Sequence, residues 1–376
     1  MDFNFTLEQT MLRDTLASFL SDRYDFETRR KAVHSESGWR PEIWRALAQE
    51  LGILGAAFPE ELGGQGGGAI ENSIVMEEFG KALVVEPWLG TVVIGGGLLG
   101  RAGGTLAQEL VAKIIAGDAV LALAQAEPQS RYNLADVATK AVKTGGGYLL
   151  SGRKSIVIGA PWATHLLVTA RSSGAQRDAG GVSLFLVENG VKGLRRQDYP
   201  TIDGGRASEL FLENVSGRLV GEEGKALPLI ERAMDEATCA LCAEAVGCMR
   251  RMLADTTSYA TQRKQFGQPL AMFQVLAHRI ADMFVALEQS SALMQVATLK
   301  LDASERALAA SAAKVQVGNA GKFLGQSAIQ IHGGMGITEE LALGHYFKRL
   351  TAINAQFGSV DHHLQRYADL TLEAVA

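Results

Sequence analysis

"AVLALAQAEP", residues Ala119–Pro128, is where the character of the chain changes. The helical spacing of the preceding hundred residues gives way to short runs rich in branched residues. "GYLLSGRKSIVIGA" (Gly147–Ala160), "THLLVTARS" (Thr164–Ser172), "VSLFLVEN" (Val182–Asn189) and "SELFLENV" (Ser208–Val215) follow, separated by Gly, Ser and Asn. Such runs at roughly ten-residue spacing are strand and turn signals. They predict a small antiparallel β domain over residues 120–223.

Both flanks read as helix. Before it, "LEQTMLRDTLASFL" sets Leu7, Met11, Leu12, Leu16, Phe19 and Leu20 on one face of a 3.6-residue period. "PEIWRALAQELGILGAAF" repeats the pattern, with Pro41 near a helix start. It stops at the glycine-rich "PEELGGQGGG" (Pro59–Gly68), and "ENSIVMEEFGKAL" and "LAQELVAKIIAG" complete a helical domain over 1–119. After it, "LIERAMDEATCALCAEAVGCMRRMLADTTSYATQRKQF" runs without an internal proline, with Leu241, Ala245, Cys248 and Met252 on a 4-3-4 spacing. A second long helix over Phe273–Leu301 and a third over about 303–330 predict a four-helix bundle across 224–376. The fold class is therefore α+β and multidomain, in the order helices, β domain, bundle.

Composition narrows the function. The chain has 376 residues, 47% hydrophobic and 20% charged, with a net charge of −5. That is a globular balance, and it argues against a nucleic-acid groove or a polybasic membrane face. "MDFNFTLEQTMLRD" has no apolar signal core, and no apolar run is long enough to span a bilayer. The three cysteines, Cys239, Cys242 and Cys248, lie in one helical stretch without zinc-ligand spacing, so no metal is expected. Buried thiols in a reducing cytoplasm are the simplest reading.

Several motifs compete. "IGGGLLG" places Gly95, Gly97 and Gly100 in G-x-G-x-x-G spacing, but its surroundings are helical and no βαβ unit follows. "GNAGKFLG" (Gly318–Gly325) lacks the spacing of a phosphate loop. "YATQRKQFGQPLAMFQ" (Tyr259–Gln274) ends a long helix in Arg263, Lys264 and Phe266. A guanidinium beside an aromatic ring suits a phosphate with an adjacent heterocycle, or the cations simply offset the helix dipole. "QIHGGMGITEE" (Gln330–Glu340) brings glycines that let a backbone approach a flat or anionic group, or that form a tight helix–helix turn. His362 and His363 point about 100° apart on a helix and are read as packing or capping residues.

Taken together in this order, "LGILGAAFPEELGGQGG", "MEEFGKAL", "AEP", "YLLSGRKSIVIGA", "YATQRKQFGQPLAMFQ" and "QIHGGMGITEE" resemble the acyl-CoA dehydrogenase family over essentially the whole chain. The resemblance implies an N-terminal α domain, a middle β domain and a C-terminal four-helix bundle. It also implies FAD, an acyl-CoA thioester substrate, electron-transfer flavoprotein as electron acceptor, and homo- or hetero-oligomeric assembly with a second subunit of this type. In such enzymes a carboxylate removes the α-proton while flavin takes the β-hydride. Residues donated to a neighbour's FAD map to Arg263, Phe266, Gln274, Gln330, Gly333 and Gly334.

The chain departs from the pattern at two places. After "AEP" it reads "QSRYNLADV" where the family has a Gly-rich loop, and Ile156 and Ile158 stand in place of a Trp-x-Thr. Isoleucine cannot donate the hydrogen bond a threonine gives. Phe357, in Phe357-Gly358-Ser359, occupies the usual place of the catalytic glutamate. A minority of members carry the glutamate on the long helix. There Glu244, at the edge of the apolar stripe, is the candidate base, with Glu236 a second and a structural role the alternative. The expectation is a small subunit of a heteromeric acyl-CoA dehydrogenase, resembling those acting on pimeloyl-CoA or steroid side-chain thioesters. A homomeric enzyme with a relocated base, or a non-catalytic assembly module, are the alternatives.

Overall fold

A computed structural model describes residues 4–373. The chain opens with α1 (Leu7–Arg23), α2 (Phe26–His34), α3 (Pro41–Gln49) and α4 (Ala69–Ala82). Thr6 and Gln9 form a reciprocal capping box that starts α1, and Pro41 occupies the first turn of α3, where its missing N–H costs nothing. A π-helical segment, Leu89–Gly96, runs into α5 (Gly97–Ala102) and α6 (Gly104–Ile115). The Gly95–Gly100 spacing thus lies inside helix, without the preceding strand a dinucleotide site needs.

Five strands follow where the branched runs predict them: β1 (Leu121–Ala124), β3 (Gly147–Ile158), β4 (His165–Arg171), β5 (Val182–Glu188) and β7 (Arg206–Val220), while β2 (Lys140–Thr144) and β6 (Leu194–Pro200) form in stretches that carry no such run. Pairing runs β1-β4-β2-β3-β7-β5, β6 joins β7, and β5 returns to β4. The path from β4 through β2, β3, β7 and β5 closes on itself, which leaves few free edges. Most pairs are antiparallel as expected. The exceptions are β1 with β4 and a single β2–β4 contact, which are parallel. Ala122, Ala124, Leu150, Val168, Phe185 and Leu210 are among the side chains that fill the interior.

The last part holds α7 (Leu227–Gln262), a hairpin of β8 (Lys264–Gln265) and β9 (Gln268–Pro269), then α8 (Gln274–Leu299), α9 (Arg306–His332), α10 (Ala342–Ala355) and α11 (Val360–Glu373). By contacts the chain forms two compact units. One holds the described residues through Lys31, Ala69–Val84 and Thr238 onward, and the other Ala32–Gly68 and Val85–Ala237. Within the first, α4 crosses α7 backbone to backbone. A Cβ on Gly80 would lie 2.0 Å from the Glu244 carbonyl oxygen, and one on Gly247 the same distance from that of Glu77. Only glycine permits this approach. Among the described residues no helix is long and apolar enough to cross a membrane, and no cluster of His, Cys, Asp and Glu could hold a metal ion.

Candidate functional site

The Arg263 motif sits just past the end of α7. Gln265 pairs with Gln268, leaving Phe266 and Gly267 as a two-residue turn with φ of 52° and 82°. Both central residues of a primed turn need positive φ, which suits Gly267 and strains Phe266. Phe266 is 92% exposed and makes an edge contact to Phe273, ring centroids 6.2 Å apart. Arg263 and Gln274 are exposed nearby in the chain.

The second motif closes α9. Gln330, Gly333 and Gly334 are exposed, and a Cβ on either glycine would meet nothing within 4 Å. His332, between them, is buried, stacks on Tyr259 with centroids 4.2 Å apart, and bonds the Ala328 carbonyl of its own helix at 2.9 Å. Tyr259 is one turn before Arg263, so this stack ties together the helix ends that carry the two motifs. His332 is thereby structural.

The turn after α10 is built from beneath. Phe357 has φ 58° and Gly358 φ 126°. Lys314, fully buried, donates from Nζ to the Ile353 and Gln356 carbonyls, each at 2.6 Å, which supplies a donor to two acceptors at the helix end. Burial pushes the Lys314 ammonium down to about 8. His363 contacts the Phe357 carbonyl through Nε2 at 3.2 Å and the Ser311 hydroxyl through Nδ1 at 3.3 Å. Burial, then Lys314 and His362, lower its pKa to about 3, so the ring is neutral. A neutral ring with these neighbours donates from Nε2 to the carbonyl and accepts at Nδ1. The His362 and His363 rings lie edge to face at 84°, and Ser359 caps α11 by accepting the His362 N–H. The pair packs and anchors, as the helical geometry predicts.

Glu244 is 3% exposed, and Arg349 grips both its oxygens, through Nε at 2.5 Å and Nη2 at 2.6 Å. A bidentate guanidinium engages both carboxylate oxygens and directs them at the arginine. Glu236 is likewise held by Arg101 and Arg232. Neither geometry favours the role of base.

The β-domain wall carries groups that the spacing of the sequence gives no sign of. Lys154 is fully buried and donates to Glu127 at 2.7 Å, Thr169 at 2.9 Å and the Gln125 carbonyl at 3.2 Å. Burial draws the lysine pKa down to about 8. Burial opposes charge on Glu127 also, but Lys154 and the donors of Gln129 and Thr139 hold its carboxyl below the usual range. Arg171 donates to the carbonyls of Ala135, Val137, Ser173, Gln176, Asp178 and Gly180, fastening the "QSRYNLADV" loop to the β4–β5 loop. A bulge in β3 leaves Ile156 at φ 53° and 62% exposed. The Glu209 carboxylate fixes that bulge by accepting from Ile156 N, Ser155 Oγ and Arg153 Nη2.

Comparison with known proteins agrees with this architecture. Three family profiles match in succession: "Acyl-CoA dehydrogenase, N-terminal domain" over residues 6–118, "middle domain" over 122–215 and "C-terminal domain" over 225–369. The chain is 31% identical to acyl-CoA dehydrogenase IpdE2 of Mycobacterium tuberculosis, over 91% of this chain and 90% of that protein. Among solved structures it is similar to the ChsE4-ChsE5 complex of the same organism, with TM-score 0.90, 26% identity and 99% of each chain covered. It is also similar to butyryl-CoA dehydrogenase of Megasphaera elsdenii, with TM-score 0.91, 25% identity, and 99% and 100% covered. The chain belongs to the acyl-CoA dehydrogenase family.

Proposed function

We propose that this chain is the small subunit of a heteromeric, FAD-dependent acyl-CoA dehydrogenase, lending bundle residues to the FAD of a catalytic partner subunit. The observation that carries this is the Phe266 turn. A strained, almost wholly exposed aromatic ring next to an exposed guanidinium is a contact waiting for a second molecule. Among the described residues Arg263 makes no side-chain hydrogen bond or ion pair, and the Gly333–Gly334 backbone is open. These features fit a dinucleotide: Arg263 for the diphosphate, Phe266 for the adenine, Gln274 and Gln330 as polar contacts, and the glycines for close approach.

When bound, FAD accepts the β-hydride of the acyl-CoA thioester. This chain's part is positional. Its residues hold the cofactor and exclude water, while Phe357 offers no proton acceptor and Glu244 is committed to Arg349. The α-proton therefore goes to a base on the partner. Ile156 and Ile158 give no side-chain donor on this chain's own wall. The similar ChsE4-ChsE5 complex and the caffeyl-CoA reductase-Etf complex, one of whose subunits is a relative, support such assembly, with electron-transfer flavoprotein as acceptor. Three buried free thiols fit a reducing cytoplasm.

The test is the visible flavin spectrum of the chain purified alone and co-expressed with a catalytic acyl-CoA dehydrogenase subunit. Alone it is colourless; the co-assembly carries FAD and turns over. A yellow, active chain on its own, with one FAD per chain, rejects the proposal.

A further inference from the structure

The corner where α1, α4, α7 and α8 meet holds a cleft of about 360 Å³. Its frame is fixed by contacts within the chain. The Gly80–Gly247 crossing brings the α4 backbone onto α7. Arg250 of α7 then ties in both neighbours, donating to Glu77 of α4 and to Ser291 of α8, each at 2.9 Å. On the opposite side, Gln9 donates to Glu71 at 2.8 Å and fastens α1 to α4. The Thr6–Gln9 capping box holds Phe5, which lines the cleft, just ahead of α1.

The lining carries three cations, Arg13, Lys81 and Arg250, against two carboxylates, Glu77 and Glu78. Those carboxylates are committed: Lys81 donates to Glu78 at 2.6 Å and lies 3.6 Å from Glu77, which also accepts from Arg250. Two polar groups of the lining are not. Among the described residues Arg13 makes one side-chain hydrogen bond, from Nε to Asp14 of its own helix at 2.8 Å, which leaves both terminal nitrogens open. The Gln295 carboxamide makes none. Phe5, 38% exposed, and the buried Ile74 give the same cleft an apolar surface. A guanidinium fork matches a carboxylate, and a concave site with apolar walls and a few placed polar groups suits a small molecule.

We infer that this cleft binds a short carboxylic acid as its anion. The carboxylate sits on the terminal nitrogens of Arg13, the hydrocarbon lies against Phe5 and Ile74, and the Gln295 amide is the second polar contact. No residue of the cleft belongs to the cofactor motifs, so the inference does not rest on the subunit reading.

The experiment is calorimetric titration of the full-length chain with hexanoate. Hexanamide serves as its uncharged counterpart and inorganic phosphate as an anion without a hydrocarbon body. The expected result is a hexanoate Kd of about 1 mM or below, with hexanamide and phosphate each at least about tenfold weaker. Arg13→Gln weakens hexanoate at least about tenfold. Should that variant fail to fold, Gln295→Leu takes its place, with a loss of about threefold or more. No hexanoate binding, hexanamide or phosphate binding as tightly as hexanoate, or an unchanged hexanoate affinity in the variant each overturns the inference. Hexanoate held in an acyl pocket elsewhere on the chain gives the last of these outcomes. The readout needs neither FAD nor a partner subunit, so its failure is distinct from failure of the co-expression test.

Discussion

His363 makes the sharpest quantitative test of how the Phe357 turn is held. Its pKa is about 3 in the folded chain and about 6.5 when unfolded. Because the folded value is depressed, its stabilisation is present above pH 6.5 and is lost as pH falls toward 3. Between pH 7 and pH 5 the unfolded chain gains about 0.7 of a proton here that the folded chain refuses, a cost of about 2 kcal/mol. Carboxylates with ordinary pKa values stay ionised over this window, so histidines dominate it. His165, His345 and His362 are also depressed, all chiefly by burial, but they are common to wild type and variant and cancel in the comparison. In His363→Gln, urea-unfolding stability is lower at pH 7 by about 1 kcal/mol through weakened bonds to Phe357 and Ser311. Its loss between pH 7 and pH 5 is smaller than that of wild type by about 2 kcal/mol. Equal losses in the two proteins, to within about 0.5 kcal/mol, would refute a neutral, anchoring His363.

Other perturbations read other parts of the structure. Gly80→Ala forces the α4–α7 crossing apart and costs about 3 kcal/mol in chemical denaturation, the upper end for overpacking; a loss below about 0.5 kcal/mol contradicts the backbone contact. Glu244→Gln leaves Arg349 half-paired in a buried site and lowers stability by about 3 kcal/mol, whereas a catalytic Glu244 predicts lost turnover with stability intact. Arg171→Met takes a donor from six carbonyls and costs at least about 3 kcal/mol, with increased proteolysis in the Gln129–Val137 loop. Phe266→Ala removes only the edge contact to Phe273 and moves the melting point of the chain alone little, but it reduces FAD retained by the co-assembly; full retention argues against the donated contact.

The order of elements was legible in the sequence because hydrophobic period is a local property. The 3.6-residue stripe of α1 and the branched runs of β3, β4, β5 and β7 are written within a dozen residues each. The two exposed motifs were legible for a related reason. Arg263 and Phe266 sit at the end of a periodic helix, and Gly333 and Gly334 break one, so both helix ends are marked by composition, while a cofactor role for them comes only from the family resemblance. That Phe357 stands where the resemblance places a carboxylate is likewise read from the sequence.

What the fold alone decided depends on contacts between residues far apart in the chain. Glu244 stood at the edge of an apolar stripe, where periodicity cannot tell a base from a buried ion pair. Arg349, 105 positions later, settles its partner. The anchoring of the Phe357 turn by Lys314 and the fixing of Ile156 by Glu209 follow the same logic. A side chain's charge, donor or strain has meaning only against the dielectric and the partners around it, and those are assembled by tertiary packing. Sequence named the groups in this molecule; the packed structure determined which of them are satisfied and which still face outward for a ligand or a second subunit.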